Sequence, residues 1–259
     1  MADGVHLAQP LSVPQATTLA MVERTESGHP DYAFYREGAA DRAVSAPQLT
    51  LSCEASPALA MVCSGCLALA PEDAGIDLAW LRASHGAGKT VVLDAILRPS
   101  VMRDRDAYRR NVLVALLFAD VIKASDEDLD HLGLPGTTTL DKARHLLDGT
   151  GAKMMALTLG AQGSGLLARD RQTWWARESV PWPVVDSVGA KDCFLAGLLT
   201  AVLTTQGLNL AHPGDAEGRR VLSYALASAS LCVMRRGCAP PTRQAVEART
   251  AQVACQFEK

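Results

Sequence analysis

The spacing of apolar and polar residues changes after about position 51, and the two parts of the chain predict different kinds of structure. Before this point, residues 16–22 and 32–35 form short β-prone runs, and the turn-forming residues 27–31 lie between them. The strand-rich start therefore predicts a small β flap or lid that is distinct from the remainder of the chain.

After position 51 the pattern alternates between buried strands and helices. Strands are predicted by apolar runs at residues 90–93, 121–122 and 153–159, and the last of these turns and returns through residues 166–168. Helices are predicted at residues 106–119, from Ser125 to near Gly133, at 192–203 and at 221–234. The alternation predicts an α/β fold with a mostly parallel central sheet flanked by helices.

Composition and charge narrow the range of partners. The chain has 259 residues, of which 48% are hydrophobic and 20% charged, and its formal net charge is -3 without any block of like charges. Such a balance provides no cluster of positive charges that would bind nucleic acid or an anionic membrane, so we expect a small-molecule partner. The longest uncharged stretch, residues 193–214, is too polar for a membrane span. Seven cysteines without a secretory signal predict reduced thiols in a cytoplasmic protein.

The stretch that carries the clearest chemistry is residues 184–197, VVDSVGAKDCFLAG, in which Asp192 stands at the start of a buried helix, after a turn of small residues. The first N–H groups of a helix have no partners inside it and carry the positive end of its dipole, so a phosphate can bind there. A carboxylate at the same place can accept a proton from an attacking hydroxyl, which suits phosphoryl transfer. The alternative is that Asp192 only caps the helix, which stabilises it by about 1 kcal/mol.

Residues 186–192 resemble the second signature of the PfkB (ribokinase-like) carbohydrate kinases, D-T-x-G-A-G-D. Other segments resemble parts of bacterial fructokinases in the same order along the chain. These are the lid and sugar-side segments (17–22 and 34–42), D-P-N-L-R-P (93–99), the acidic magnesium motif (119–129), the nucleotide-side T-x-G-x-x-G (157–166) and the end of the adenine pocket (235–246). The resemblance implies a ribokinase-like single domain over residues 1–259, with a partial β lid at about 14–45 and a nucleotide-binding core at about 51–259.

The resemblance also implies ATP-dependent phosphorylation of a sugar hydroxyl, with ATP and Mg²⁺ as cofactors. Fructokinases are the members of the family that these segments resemble. In the family pattern Asp192 is the general base, and the backbone of Gly189, Ala190 and Lys191 forms the anion hole. Asp128 stands where an acidic residue organises magnesium through water.

Two further sets of residues are implied by the same resemblance to bind the substrates. The residues beside the nucleotide are Thr158, Gly160, Gly163 and Asp186. The residues that face the sugar are Tyr35, Arg36 and Arg98.

Several positions depart from the family pattern. Lys191 replaces the glycine of the anion hole, and we expect it to cost backbone freedom, because glycine permits a positive φ. Ile96 replaces an asparagine, and Ser125 and Asp128 replace an asparagine and a glutamate. Ser-x-x-Asp at a helix start is also nearly a capping box, so a structural role competes with the metal role. The departures leave open a catalytically impaired or inactive nucleotide-binding remnant.

The family's usual first strand and its Gly-Gly sugar-binding segment have no counterpart before residue 17. We therefore expect the family fold to lack its N-terminal segment in this chain. A missing strand exposes a sheet edge or apolar surface, which favours a homodimer.

Two other motifs resemble known binding or redox sites. Residues 85–90, HGAGKT, look like the end of a phosphate-binding P-loop, but a strand rather than a helix follows the lysine, so we reject it. Cys63 and Cys66 have C-x-x-C spacing without a second ligand pair, and we predict that they are buried small side chains rather than a redox or metal site.

Overall fold

The computed structural model describes residues 4–9, 11–24, 30–56, 58–179 and 183–258. The chain divides into two compact units, the first formed by Met1–Val92 and Leu97–Phe118 and the second by Leu93–Ile96 and Ala119–Lys259. Most of the turn predicted at 27–31 lies outside the described residues.

The first unit contains the predicted β lid. Strands β1 (Leu19–Arg24) and β2 (Pro30–Tyr35) form an antiparallel two-stranded sheet in which Leu19 lies opposite Tyr35, so the strands predicted at 16–22 and 32–35 are confirmed. The elements that follow are α1 (Ala46–Glu54), β3 (Met61–Gly65), α2 (Ala74–Gly86), β4 (Thr90–Asp94) and α3 (Arg105–Leu116).

The second unit continues the alternation. Its elements are β5 (Val121–Ser125), α4 (Asp126–His131), α5 (Thr139–Gly149), β6 (Met154–Thr158), β7 (Ser164–Ala168), β8 (Thr173–Glu178), α6 (Ala190–Thr204), α7 (Asp215–Val233), α8 (Arg243–Gln252) and β9 (Cys255–Glu258). Helices α4 and α5 pack on β5 and β6, whereas α7 packs on β7, β8 and α6. No helix in the described part of the chain is both long and apolar enough to cross a bilayer.

Seven strands form the central sheet, in the order β3-β4-β5-β6-β7-β8-β9. Strands β5 and β6 are parallel, with Ser125 opposite Thr158, and each successive pair from β6 to β9 is antiparallel. Every residue of β5 and β6 is buried, as expected for strands covered on both faces. The α/β fold with a central sheet flanked by helices is confirmed.

The two apolar helices predicted at 192–203 and 221–234 are α6 and α7, which pack against each other. Gly197 permits this close approach, because a Cβ added there would lie 2.7 Å from the Cβ of Ser228. Helix α7 begins at Asp215 rather than Val221, since the carboxylate of Glu217 accepts from the Gly214 N–H at 2.8 Å and closes its first turn.

Asp77 of α2 is a buried carboxylate, and the Ser64 hydroxyl donates to its two oxygens at 2.9 and 2.7 Å. Burial raises the pKa of Asp77, and the hydrogen bond from Ser64 offsets only part of this effect. A carboxyl whose pKa rises on folding stabilises the fold while protonated, and that contribution is lost as the pH rises through its pKa.

We therefore expect Asp77→Asn, which keeps an oxygen acceptor for Ser64, to stabilise the protein at neutral pH. The gain is about 1 kcal/mol near pH 7 and shrinks toward about pH 4. Urea denaturation at both pH values measures it. The expectation is contradicted if the difference in unfolding free energy between Asp77→Asn and the original chain is no larger near pH 7 than near pH 4.

Candidate active site

The candidate site lies in the second unit, at the carboxyl ends of three neighbouring strands of the sheet. Asp94 is the last residue of β4, Ser125 of β5 and Thr158 of β6. The Ala95 N–H donates to the Lys123 carbonyl at 2.8 Å, and Ser125 pairs with Thr158 in the parallel ladder. The carboxyl ends of neighbouring strands in open α/β sheets are where ligands bind. These side chains are therefore brought together by the sheet.

The turn before α6 is fixed by a glycine. Gly189 has φ 81° and ψ -3°, which is left-handed backbone, and it occupies the N-cap position without any side-chain cap. A Cβ added to Gly189 would lie 2.4 Å from the Sγ of Cys238. The first helical residue is Ala190, so Asp192 lies in the first turn and the alternative in which it caps the helix is wrong.

Asp192 presents an exposed carboxylate on the first turn of α6. Across the described ranges, this carboxylate makes no hydrogen bond or ion pair with another side chain. Its charge reaches the neighbouring strand end, since Asp192 is among the groups that raise the pKa of Asp94. Within the described part of the chain, the geometry thus places a carboxylate without a side-chain partner at the positive end of a helix dipole.

A buried ion pair lies within electrostatic range of this carboxylate. Lys123 of β5 is completely buried, and its ammonium donates to both oxygens of Asp94 at 2.9 and 3.0 Å. Burial raises the pKa of Asp94, the Lys123 ammonium lowers it, and the charges of Asp128 and Asp192 raise it further. Asp128 and Asp192 are therefore each within electrostatic range of Asp94, whose charge Lys123 compensates in part.

Ser125 and Asp128 form the capping box that their spacing suggested. Asp128 accepts from the Ser125 N–H at 2.8 Å and from its hydroxyl at 2.6 Å, and the Asp128 N–H donates back to the hydroxyl at 3.3 Å. The structural role is thus confirmed, and the carboxylate is buried. The role of Asp128 at magnesium stays a prediction.

Lys191 contacts the same hydroxyl, because its ammonium donates to the Ser125 Oγ at 3.3 Å. The backbone cost expected at Lys191 is wrong. Lys191 is the second residue of α6 and has no positive φ, since the left-handed residue of the turn is Gly189. The replacement of glycine by lysine therefore acts through the side chain.

The nucleotide-side residues lie on two turns of the second unit. Thr158 is buried at the end of β6, and Gly160 and Gly163 have positive φ in the turn to β7. A Cβ at Gly163 would lie 2.4 Å from the Ala176 carbonyl oxygen, so this turn requires glycine. Asp186 accepts from the N–H groups of Val188 at 3.1 Å and Gly237 at 2.9 Å, which holds segment 237–238 beside the Gly189 turn.

The sugar-side residues lie in the first unit. Tyr35 is exposed at the end of β2. The Arg36 guanidinium pairs with Asp41 at 2.9 Å and Asp73 at 3.2 Å, so acidic partners hold it within this unit. The Arg98 guanidinium lies 4.6 Å from the centre of the Tyr32 ring, in a cation–π contact.

Comparison with known proteins decides the family. The profile of the pfkB family carbohydrate kinases matches residues 4–245. This chain belongs to that family. It is 34% identical to a fructokinase of Rhizobium leguminosarum bv. trifolii over 73% of this chain and 56% of the relative. It is 30% identical to a fructokinase of Escherichia coli over 89% of this chain and 73% of the relative. The chain thus spans little more than half the length of the first relative.

Solved structures of fructokinases share the fold of this chain. A fructokinase of Xylella fastidiosa with bound ATP superposes with a TM-score of 0.76 and 22% identity, over 93% of this chain and 75% of that one. A fructokinase of Vibrio cholerae with fructose, ADP and calcium ion superposes with a TM-score of 0.73 and 21% identity, over 92% and 74%. These similarities confirm the ribokinase-like architecture.

Two departures of this pfkB chain from its family pattern are in direct contact. Lys191 and Ser125 are 66 residues apart in sequence, yet the ammonium of one reaches the hydroxyl of the other. Sequence reasoning considered them separately. It missed Asp94 and Lys123 as site residues altogether, although a lysine in the buried run VIKAS is a signal for a buried charge pair.

Of the predictions made for the two rejected motifs, one is confirmed and the other is wrong. The residues after Lys89 form β4, and the Lys89 ammonium donates to the Leu59 carbonyl, so the rejection of a P-loop is confirmed. The prediction that the C-x-x-C cysteines are buried is wrong, because Cys63 is exposed and Cys66 half-buried. The side chains of β3 alternate, and Val62 rather than Cys63 faces the core.

The Gly189 turn gives a stability prediction. We expect Gly189→Ala to destabilise the protein by about 1–3 kcal/mol, because a left-handed residue with a Cβ is strained and this Cβ meets Cys238. Gly149→Ala is the matched control, since Gly149 has no crowded neighbour and no positive φ. Urea denaturation compares the two. Equal stability of the two variants would contradict the role of the turn.

Proposed function

We propose that this chain transfers the γ-phosphoryl group of ATP to a hydroxyl of a sugar, with Asp192 as the general base. The observation that carries the proposal is the exposed carboxylate of Asp192 on the first turn of α6, directly after the left-handed turn at Gly189 and without a side-chain partner among the described residues. Membership of the pfkB carbohydrate kinases supports the reaction class.

In the proposed step Asp192 accepts the proton of the sugar hydroxyl, and the hydroxyl oxygen forms a bond to the γ-phosphorus. The bond from that phosphorus to the β–γ bridging oxygen breaks, and ADP leaves with the electron pair. The N–H groups of Gly189, Ala190 and Lys191 form the anion hole for the charge on the phosphoryl oxygens. Their place at the N-terminus of α6 supports this role, although the Ala190 N–H already donates to the Ser187 carbonyl at 3.2 Å.

The Lys191 ammonium supplements the backbone donors in this proposal. Its contact with the Ser125 hydroxyl holds a positive charge beside the turn, at a place where the helix dipole already favours anions. Thr158, Gly160 and Gly163 are the proposed neighbours of the nucleotide, and Gly163 is required by the close approach of the Ala176 carbonyl. Asp186 contributes by bracing the turn rather than by a free carboxylate.

The Asp128 carboxylate fits a magnesium ion that arrives bound to the nucleotide. Among the residues described, no cluster of three or more side chains is placed to hold a metal. Magnesium keeps several waters and binds through one or two carboxylates plus substrate phosphates, so a protein cage is not required. Asp128 would hold the hydrated ion through water, and the ion would supply charge neutralisation at the phosphates.

Fructose is the proposed acceptor, because similar proteins and solved structures include fructokinases. Tyr35, Arg36 and Arg98 are the proposed sugar-side residues. ADP release from Mg-ATP is to be measured with fructose, ribose, 2-keto-3-deoxygluconate and adenosine in turn. Turnover with one acceptor supports the proposal and names the substrate, whereas no turnover with any of them from a folded sample contradicts it.

A nucleotide-binding remnant without turnover is the second candidate. The observation that favours it is that Asp128 and Ser125 are closed on each other in a capping box, with Lys191 on the same hydroxyl. Calorimetry with Mg-ATP separates the two candidates. Binding without ADP release favours the remnant, and turnover of about 1–100 per second excludes it.

A homodimer and a cytoplasmic location complete the proposal. The β1–β2 sheet leaves large apolar side chains exposed, among them Leu19, Met21 and Tyr35, which suits contact with a second copy. Cys53, Cys193, Cys232, Cys238 and Cys255 are free thiols, which fits a reducing compartment. Sedimentation velocity tests the dimer, and a single monomeric species at micromolar concentration would contradict it.

A further inference from the structure

Lys191 differs from most other lysines in the described part of the chain, because it lacks an ion pair. Lys123, Lys142 and Lys153 each form an ion pair with an aspartate. The Lys191 ammonium instead makes a single hydrogen bond, to the Ser125 hydroxyl at 3.3 Å, and no carboxylate in the described ranges pairs with it. Lys191 therefore places a positive charge in the candidate site without a carboxylate to neutralise it there.

The Ser125 hydroxyl anchors this ammonium but uses only one of its donors. A hydroxyl has one donor and two acceptor positions. It donates to the Asp128 carboxylate at 2.6 Å, and it accepts from the Asp128 N–H at 3.3 Å and from Lys191. An ammonium has three N–H donors, so among the described residues two donors of Lys191 have no acceptor.

The position of this charge suits the phosphates of a nucleotide. Lys191 is half-buried on the first turn of α6, directly after the left-handed Gly189, where the helix dipole is positive. Its anchor, Ser125, is the last residue of β5, and ligands of open α/β sheets bind at the carboxyl ends of the strands. A lysine ammonium is a compact cation that binds phosphate oxygens as a point charge.

We propose that the Lys191 ammonium is a resident cation for the triphosphate, which allows this site to bind ATP without a divalent metal ion. The inference rests on the proposed function, because it places the triphosphate at the first turn of α6. A glycine at position 191 would leave the neutralisation of the phosphates to the backbone donors and the metal ion alone. The side chain that departs from the family pattern thus changes the metal requirement of binding.

The effect of the ammonium depends on whether the metal ion is present. The attraction between two unit charges in contact at a half-buried site is large enough for a tenfold change in affinity. Mg²⁺ bound to the phosphates neutralises part of their charge, so the ammonium contributes less when the metal ion is there. Loss of the ammonium should therefore weaken binding most strongly in the absence of metal.

The alternative is that Lys191 only ties the start of α6 to the end of β5 through Ser125. Loss of the ammonium would then lower the stability of the protein. Any loss of nucleotide affinity that follows from a displaced turn would be the same with and without Mg²⁺. The dependence of the loss on the metal ion separates the two roles.

Calorimetry measures the affinities for ATP and for inorganic tripolyphosphate, each in EDTA and in excess Mg²⁺. Tripolyphosphate carries the phosphates without the nucleoside, so it tests the cation by itself. The original chain is compared with Lys191→Met, which removes the charge, and with Lys191→Arg, which keeps it. Lys153→Met is the matched control, because it removes the same charge at the opposite end of β6 from Thr158. Urea denaturation measures the stability of each variant.

We expect the original chain to bind both ligands in EDTA, and Lys191→Met to bind them about tenfold or more weakly under that condition. In excess Mg²⁺ the loss for Lys191→Met is about threefold or less, because the metal ion supplies part of the missing charge. Lys191→Arg and Lys153→Met stay within about threefold of the original chain under both conditions.

Two results would overturn the inference. One is that the original chain binds neither ligand in EDTA, and the other is that the affinities of Lys191→Met fall no more in EDTA than in Mg²⁺. Neither result decides the reaction, because ADP release from Mg-ATP with a sugar tests the proposed function separately. Conversely, Lys191-dependent binding of tripolyphosphate by a chain without turnover would support the resident cation and contradict the proposed function.

Discussion

Asp192→Asn is expected to lower kcat for sugar phosphorylation by about 10²–10⁴-fold, the contribution typical of a positioned general base. Asparagine has nearly the same shape but cannot accept the proton of the hydroxyl. Because the carboxylate makes no hydrogen bond or ion pair among the described residues, its loss leaves the fold of α6 intact. We therefore expect Mg-ATP affinity and stability to change little, while kcat measured by ADP release falls.

Glu217→Gln is the matched control for Asp192→Asn. Glu217 lies in the first turn of α7, as Asp192 does in α6, and the change removes the same charge from a helix start. We expect Glu217→Gln to keep its kcat, with a small loss of stability from the weakened bond to Gly214. Equal kcat in Asp192→Asn and the original chain would refute the assigned base.

Asp94→Ala is expected to destabilise the protein by about 3–5 kcal/mol, because it leaves the Lys123 ammonium buried without its carboxylate. Lys123 is completely buried, so water cannot replace the lost partner without a rearrangement of the strand ends. Urea denaturation at neutral pH measures the loss.

A double-mutant cycle tests whether the loss comes from the unpaired charge. Asp94→Ala combined with Lys123→Met removes both charges and keeps a side chain of similar length on β5. We expect the double variant to be more stable than Asp94→Ala alone by about 2 kcal/mol or more. Purely additive losses would show that Asp94 and Lys123 are not coupled, contrary to the distances between them.

Local patterns predicted the elements around the site. The run 184–197 predicted a small-residue turn and a buried helix, and the structure has α6 starting at Ala190 after the left-handed Gly189. A strand ending at Val184 and Val185 was also predicted from these two apolar residues and is wrong, because both are exposed and lie outside any strand. The signals are local, because helix periodicity and turn chemistry involve residues a few positions apart. The Ser125–Asp128 capping box was recognisable for the same reason.

Contacts between distant parts of the chain were not predictable in this way. The Asp94–Lys123 pair depends on β4 and β5 being neighbours in the sheet, and the Lys191–Ser125 contact depends on where α6 begins relative to β5. Neither requirement leaves a periodic signal in the sequence. The position of Cys238 against Gly189 is a third case, because it is set by a turn that follows α7.

Phosphorus NMR of a reaction with Mg-ATP and fructose tests the central claim most directly, because it separates phosphoryl transfer to a sugar from hydrolysis by water. The account predicts a sugar phosphate monoester resonance that grows in step with ADP, and that grows about 10²–10⁴-fold more slowly with Asp192→Asn. Unchanged ATP from folded protein that binds the nucleotide, or inorganic phosphate as the sole new product, would contradict it.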